Sequence, residues 1–243
     1  MIPGDVASHG GARKIYQGVI ERVMIHCADT RSLFIRVPDV NEFHFVPGQF
    51  ISVAIPIDER RKTRAYSLAS SPEDGQPLEI CLNLITGGVG SHYLFGLQTG
   101  ALVSFSGPFG LFTLERAPQH ETIFIAEGTA IAPIRAMVRR ALSAASHPPL
   151  TLLYIAADQA HLLYRAEFEM LASRHENFTF DQRINSSGRL SALLDEIEER
   201  YVRADSDRER HFYACGVGND VLRVRDLLRA AGYARRAVQY ERW

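Results

Sequence analysis

The chain has 243 residues, enough for one large domain or two of ordinary size. Hydrophobic residues make up 46% of it, sufficient for a real core, and 27 basic residues stand against 28 acidic ones, so no global field draws the chain to nucleic acid or to an anionic membrane. Three widely spaced cysteines, Cys27, Cys81 and Cys215, exclude a four-cysteine iron–sulfur cluster within the chain and argue against a disulfide framework or a Cys-rich zinc site.

Residues 1–14 are polar and Gly-containing and lack the apolar stretch of a signal peptide, so they read as a flexible lead-in to a cytoplasmic protein. Residues 15–115 read as short strands separated by Gly, Pro and polar turns. The expected strands are Tyr16 to His26, Ser32 to Val37, Gln49 to Ile55, Arg64 to Ala69, Leu78 to Ile85 and Ala101 to Ser106. Leu78, Ile80, Leu82 and Leu84 alternate as one buried strand face requires. One short helix, Ser91 to Leu97, interrupts a pattern that suggests a small antiparallel β-barrel.

Residues 116–243 alternate between strand and helix. Strands are expected at Thr122 to Ala126, Leu150 to Ala156, Phe178 to Asp181, His211 to Cys215 and Ala237 to Tyr240. Helices are expected at Pro133 to Ala144, Tyr164 to Ser173, Leu190 to Arg200 and Asp220 to Ala231. In the first of these Ile134, Met137, Val138 and Ala141 share a face, and proline at its start gives up only an N–H that would be unpaired. Such alternation predicts an α/β domain with a parallel sheet covered on both faces.

Five segments carry candidate chemistry. In Arg64-Ala65-Tyr66-Ser67, an arginine can clamp phosphate, a tyrosine offers a stacking plane, and a hydroxyl can hydrogen-bond a ring nitrogen. A plain barrel strand explains that segment equally well. Thr86-Gly87-Gly88-Val89-Gly90-Ser91 is a Gly-rich turn into a helix, suited to phosphate oxygens, although a simple loop and cap would look the same. Glu127-Gly128-Thr129-Ala130-Ile131-Ala132-Pro133 follows a strand and opens a helix, where α/β sheets bind nucleotides. Cys215-Gly216-Val217-Gly218 repeats that arrangement. The only tryptophan is the last residue, Trp243, and is expected to dock against something flat. Nine histidines show no ligand spacing, so no metal site is expected.

Together these segments resemble the ferredoxin–NADP⁺ reductase superfamily from about Tyr16 to Trp243. The matching pattern is RAYSLASSP at 64–72, GGVGSHYL at 87–94, GPFGLFTL at 107–114, EGTAIAP at 127–133, LLYRAEF at 162–168, CGVGND at 215–220 and YERW at 240–243. The resemblance implies an N-terminal FAD-binding barrel, a C-terminal NAD(P)-binding α/β domain, and hydride transfer from NADH or NADPH to flavin N5. It assigns the pyrophosphate clamp to Arg64, flavin stacking to Tyr66, and the hydroxyl at the reactive nitrogen to Ser67. Gly88, Val89, Gly90 and Ser91 match the pyrophosphate loop, and Leu82, Asn83 and Leu84 the ribose and adenine contacts. Gly128 and Thr129 match the face toward the nicotinamide dinucleotide. Cys215 and Gly216 match the segment beside the nicotinamide ring, Glu241 a relay carboxylate, and Trp243 the terminal aromatic.

The chain departs from the family's pattern at three places, the last of which bears on the coenzyme. Ala130 replaces a usual glycine, and Ile155 and Ala157 replace Gly and Arg. Asp181-Gln182-Arg183 stands where the family's NADPH-type Ser-Arg is usual. An Asp suits a free ribose diol and favours NADH, while Arg183 and Arg189 keep NADPH open. The resemblance also implies a separate redox partner: a ferredoxin, a flavodoxin or an oxygenase component. Arg60-Arg61-Lys62 reads chiefly as a solvated loop and secondarily as a dock for an acidic partner. A flavin reductase and an electron-transfer subunit of a larger complex are the rival readings. The oligomer is a monomer or a homodimer.

Overall fold

The computed structural model describes residues 14–57, 60–204 and 206–243, with the side chains of residues 57, 60 and 61 left aside. All but the last residue of the expected lead-in over residues 1–14, and the side chains of Arg60 and Arg61, therefore lie outside the described residues.

Six strands form the first sheet: β1 (Ile15–Cys27), β2 (Thr30–Arg36), β3 (Phe50–Ile57), β4 (Arg60–Ser67), β5 (Leu78–Asn83) and β6 (Leu102–Phe109). All pairings are antiparallel, in the order β4-β3-β6-β1-β2-β5. The two outer strands, β4 and β5, meet at an isolated bridge between Leu68 and Ile80, which curls the sheet toward a barrel. Its interior is filled by Ile20, Leu33, Ile35, Ile51, Val53 and Phe105, all at most 1% exposed. Beyond the bridge β4 diverges from β5, and the short helix α1 (Val89–Phe95) packs its buried Leu94 there. This helix starts two residues before the expected Ser91, because Gly88 rather than Ser91 precedes its first turn.

The alternation expected along β5 holds only for one face. Leu78, Ile80 and Leu82 point into the barrel core, yet Glu79 and Cys81 are buried as well. Their face is covered by the second half of the chain rather than by water.

That half is a parallel sheet ordered β11-β10-β7-β8-β9, from β7 (Thr122–Glu127), β8 (Leu150–Ala156), β9 (Phe178–Ile184), β10 (His211–Gly216) and β11 (Val238–Arg242). Strands β7 and β8 are buried throughout, as strands covered on both faces must be. Helices α2 (Ile131–Leu142) and α3 (Arg165–Arg174) cover one face around Phe124, Leu152 and Phe168. Helices α4 (Leu194–Glu198) and α5 (Asp220–Ala230) cover the other around Ile125, Leu153 and Phe212. The helix expected over Leu190 to Arg200 is instead a composite: a 3₁₀ turn at Leu190–Leu193, α4, and a π turn at Glu199–Arg203. Among the described residues no helix is long and apolar enough to cross a membrane.

Candidate functional site

Strand β4 is an edge strand, so its backbone groups and both sets of side chains border the gap left beside β5. The parallel sheet presents the carboxyl ends of its strands to the same gap. Between them lies a cleft of about 990 Å³. Arg64, Tyr66 and Ser67 line its barrel wall, with Leu82 and Asn83 at the end of β5. Gly88, Val89, Gly90 and Ser91 form the adjoining turn, and Gly128, Thr129 and Val217 form the opposite wall. Glu241 and Trp243, from the end of the chain, meet Ser67 in the middle.

Local chemistry shapes each part. Arg64 is exposed, and its Nη1 donates to the carbonyl of Thr63 at 2.9 Å, leaving most of the guanidinium directed to the cleft. Gly90 keeps that side chain in place: a Cβ there would lie 3.0 Å from Arg64 Cγ and 3.6 Å from Tyr66 Oη. Ser91 serves the turn itself. Its hydroxyl donates to Gly88 O at 2.8 Å and accepts from the Ile85 N–H at 3.0 Å. Asn83 Oδ1 is buried without a hydrogen-bond partner among the described residues, an unmet acceptor that a bound donor would satisfy.

At the centre, Ser67 Oγ lies 3.5 Å from Glu241 Oε2, and the indole Nε1 of Trp243 donates to the same oxygen at 3.1 Å. Burial pushes the Glu241 carboxyl above its ordinary pKa, and these two donors act against that rise. Trp243 remains 41% exposed, yet its backbone is pinned. Its N–H donates to Gly216 O at 3.0 Å, and its carbonyl accepts from the Gly218 N–H at 2.9 Å. The ring is therefore held at the cleft and not folded onto the barrel core.

Several expected site residues sit differently. Cys215 is fully buried behind the wall, its Sγ 4.0 Å from Glu241 Oε2. Burial, with Glu241 and Glu127 nearby, holds it well above the usual thiol range, so it remains a neutral thiol. Gly216 is also behind the wall, against Leu190 and Glu127. Leu84 lies off the cleft, and its N–H donates to Asp29 O at 2.7 Å. The contrast drawn between Asp181 and Arg183 does not survive in space. Asp181 stands mid-strand opposite Leu153 and accepts from Arg200 at 2.6 Å, while Arg183 is held by both oxygens of Glu196 at 2.6 and 3.0 Å.

One group carries no expected role in the sequence. Glu127 ends β7 as a buried carboxylate on the cleft floor. It accepts the Val217 N–H at 2.7 Å and the Leu190 N–H at 2.6 Å, tying three loops together. Burial raises its pKa, and those two N–H donors and Arg189 oppose the rise. Arg189 also lines the cleft, its Nη2 donating to Val217 O at 2.7 Å. A charged side chain at the tip of a buried strand was the available signal for Glu127.

Comparison with known proteins gives a consistent picture. The family model described as "Oxidoreductase FAD-binding domain" matches residues 17–114, and that described as "Oxidoreductase NAD-binding domain" matches residues 124–220. The chain is 31% identical to "Ferredoxin--NADP reductase B" of Sorangium cellulosum, over 88% of this chain and 91% of that one. It is 28% identical to the "Toluate 1,2-dioxygenase electron transfer component" of Pseudomonas putida, over 94% of this chain and 67% of that one. Among solved structures, a ferredoxin NADP⁺ reductase from Neisseria gonorrhoeae with bound FAD and NADP superposes with a TM-score of 0.79 at 21% identity, over 94% of this chain and 98% of that one.

Proposed function

The chain belongs to the ferredoxin–NADP⁺ reductase superfamily, and from that premise we propose that it oxidises NADH in preference to NADPH and serves a ferredoxin, a flavodoxin or an oxygenase component. It is an NAD(P)H-dependent, FAD-containing oxidoreductase that passes electrons to a partner. The flavin, when bound, supplies acceptance of a hydride and release of electrons one at a time.

The protein's own residues then bind, orient and exclude water. Residues 15–115 hold FAD and residues 116–243 hold the nicotinamide nucleotide. Arg64 binds pyrophosphate together with the turn Gly88-Val89-Gly90, which Ser91 braces. Tyr66 offers its ring, and Leu82 and Asn83 receive the adenosine end. Ser67 and Glu241 hold a proton between Ser67 Oγ and Glu241 Oε2, while Trp243 guards the place of the nicotinamide. Gly128 and Thr129 bind the dinucleotide, and Cys215 and Gly216 back that wall without touching it. The observation that carries this reading is the cleft itself, with an exposed arginine and an unmet buried acceptor on one wall and the carboxyl ends of a parallel sheet on the other.

The preference for NADH rests on charge. Arg183 is neutralised by Glu196, and Arg200 by both Asp181 and Glu196. A 2′-phosphate would have to displace a carboxylate to gain either cation, and would face the others. Arg189 is engaged by Asp220 at 3.3 Å. The three free cysteines fit a reducing, cytoplasmic setting.

The test is to purify the protein, record its visible spectrum, identify the released chromophore, and follow its anaerobic bleaching by each coenzyme. A retained FAD bleached faster by NADH is expected. A colourless protein that no riboflavin derivative reconstitutes would overturn the reading, and flavin lost on dialysis would favour a flavin reductase. A large NADPH advantage would overturn the coenzyme preference alone.

A further inference from the structure

We propose that Cys27, Asp29 and His161 form a binding site for a zinc-class divalent cation that joins the barrel to the nucleotide domain. Cys27 ends β1 and Asp29 lies in the hairpin turn to β2, where the strand register is irregular between Ile25 and Cys27. His161 comes from the loop after β8, in the other half of the chain. One ligand atom from each of the three lies within 4.8 Å of the others.

The protons now in the cluster mark where a cation would sit. The Cys27 thiol donates to Asp29 Oδ1 at 3.1 Å, and His161 Nε2 lies 2.9 Å from the same oxygen. Zinc bonds of about 2.0–2.3 Å in tetrahedral geometry separate ligand atoms by roughly 3.3–3.6 Å. The S–O and N–O distances therefore need to open by only a few tenths of an ångström. Binding one cation would release the thiol proton and leave Nε2 unprotonated with the ring proton on Nδ1 toward Asp158, so that a thiolate, a neutral imidazole and a carboxylate surround the ion.

A second, independent feature supports the site. The other ring nitrogen of His161, Nδ1, lies 2.8 Å from Asp158 Oδ1, and the His161 backbone N–H donates to that oxygen at 3.0 Å. A carboxylate behind the distal nitrogen fixes the ring and aims Nε2 at the cluster, the outer-shell arrangement typical of metal-binding histidines. The donor set also selects its metal. One thiolate and one imidazole beside a single carboxylate suit Zn²⁺ or Co²⁺ and not Mg²⁺ or Ca²⁺, which require oxygen cages. His161 and Asp29 keep 29% and 47% of their side chains exposed, so an ion can enter and water can complete the coordination. The site is also coupled to the cleft, because the Asp29 carbonyl accepts the Leu84 N–H next to the cleft residue Asn83. The pattern is invisible in sequence, since 132 residues separate Asp29 from His161.

The experiment strips the whole protein with a chelator and titrates Zn²⁺ in competition with a chromophoric chelator. Co²⁺ is titrated in parallel, with difference spectra in the thiolate-to-metal charge-transfer region. Circular dichroism confirms that each variant is folded, so the readout does not depend on flavin or coenzyme. One zinc per chain, a cobalt–thiolate band and a higher melting temperature with zinc are expected. Cys27→Ser and His161→Gln should each weaken zinc by at least tenfold and abolish the thermal shift, and Asp158→Asn should weaken it less. Failure to bind zinc at micromolar concentration, or equal binding by the Cys27 and His161 variants, would overturn the proposal. The second outcome would place the metal on other histidines.

Discussion

Arg135 of helix α2 binds Glu79 of strand β5 at 2.7 Å, with 12% and 4% of the two side chains exposed. The pair crosses from one half of the molecule to the other and does not stand alone. Arg135 also donates to Ala69 O at 2.8 Å and to Glu167 at 2.7 Å, and Tyr164 Oη donates to Glu79 Oε1 at 2.8 Å. Removing one member of a buried, satisfied pair leaves the other charged and unpaired, which costs about 3–5 kcal/mol. Arg135→Ala is therefore expected to lower the urea midpoint of the whole protein. Arg135→Lys should rescue it only in part, because an ammonium cannot span three acceptors in the guanidinium plane. An unchanged midpoint for Arg135→Ala would remove the pair from the stability of the interface.

That interface marks the limit of what the sequence discloses. Local periodicity suffices for β8, whose expected bounds at Leu150 and Ala156 are those observed, and for the buried face of α2 around Ile134 and Met137. Periodicity reports a single face at a time, however. It marks Leu78, Ile80 and Leu82 as buried and leaves Glu79 and Cys81 to solvent, whereas the second half of the chain covers them. Burial there pushes the Cys81 thiol up to about 12. Side-chain pairing across long separations is equally hidden. Asp181 suggests a ribose ligand until Arg200 is found beside it, and Glu127 passes as part of a loop motif until Val217 and Leu190 are brought to it. The glycines and the Arg64-Ala65-Tyr66-Ser67 segment were legible because their local conformational roles are written in adjacent residues.

Gly90 offers a clean separation of folding from cofactor binding. It lies inside α1, where alanine is favoured over glycine by about 1 kcal/mol. Its substituent would nevertheless press on Arg64 Cγ at 3.0 Å. Gly90→Ala should therefore leave the stripped protein equally or more stable while weakening FAD by roughly tenfold, about 1.4 kcal/mol. Fluorescence titration of apoprotein with FAD measures it, and unaltered affinity would detach Arg64 from the phosphate.

Ser67 is 5% exposed and its hydroxyl faces Glu241 across the domain boundary. Ser67→Ala removes a hydrogen-bonding group with almost no change of shape, so FAD should stay bound while reduction by NADH slows by an order of magnitude or more, as expected for a lost proton-handling group. Stopped-flow bleaching is the measurement. Equal rates would reduce Ser67 to packing.

The raised pKa of Glu241 carries a definite sign. Because burial favours its neutral form, the folded protein keeps a proton here at pH values where the unfolded chain has released it. Folding stability thus falls as pH rises from the ordinary glutamate value of about 4.3 through the higher folded value. Glu127 contributes in the same direction, its pKa also raised by burial. Glu241→Gln deletes one of the two contributions, so its melting temperature should fall less steeply with pH across this window. Parallel wild-type and variant profiles would show that Glu241 is solvated.

Trp243 gives the most direct handle on coenzyme access. Its ring stands at the cleft while its backbone is fixed by Gly216 and Gly218, bonds that serine or phenylalanine at this position retains. Trp243→Ser therefore changes the ring and little else. If the ring holds the place the nicotinamide must enter, its removal deletes a competitor. The dissociation constant for NAD⁺, read from the flavin spectrum, should then fall several-fold, and turnover should slow as product leaves more reluctantly. Trp243→Phe separates the two parts of the side chain. It keeps an aromatic plane but loses the Nε1 donor to Glu241, so it should bind NAD⁺ nearly as weakly as the wild type. It should also raise the Glu241 pKa further, since one of the two hydrogen bonds opposing that rise is gone. Equal NAD⁺ affinity in the wild type and both variants would mean that the ring guards nothing, and that the terminal residue serves only to tie the last strand to the loop after β10.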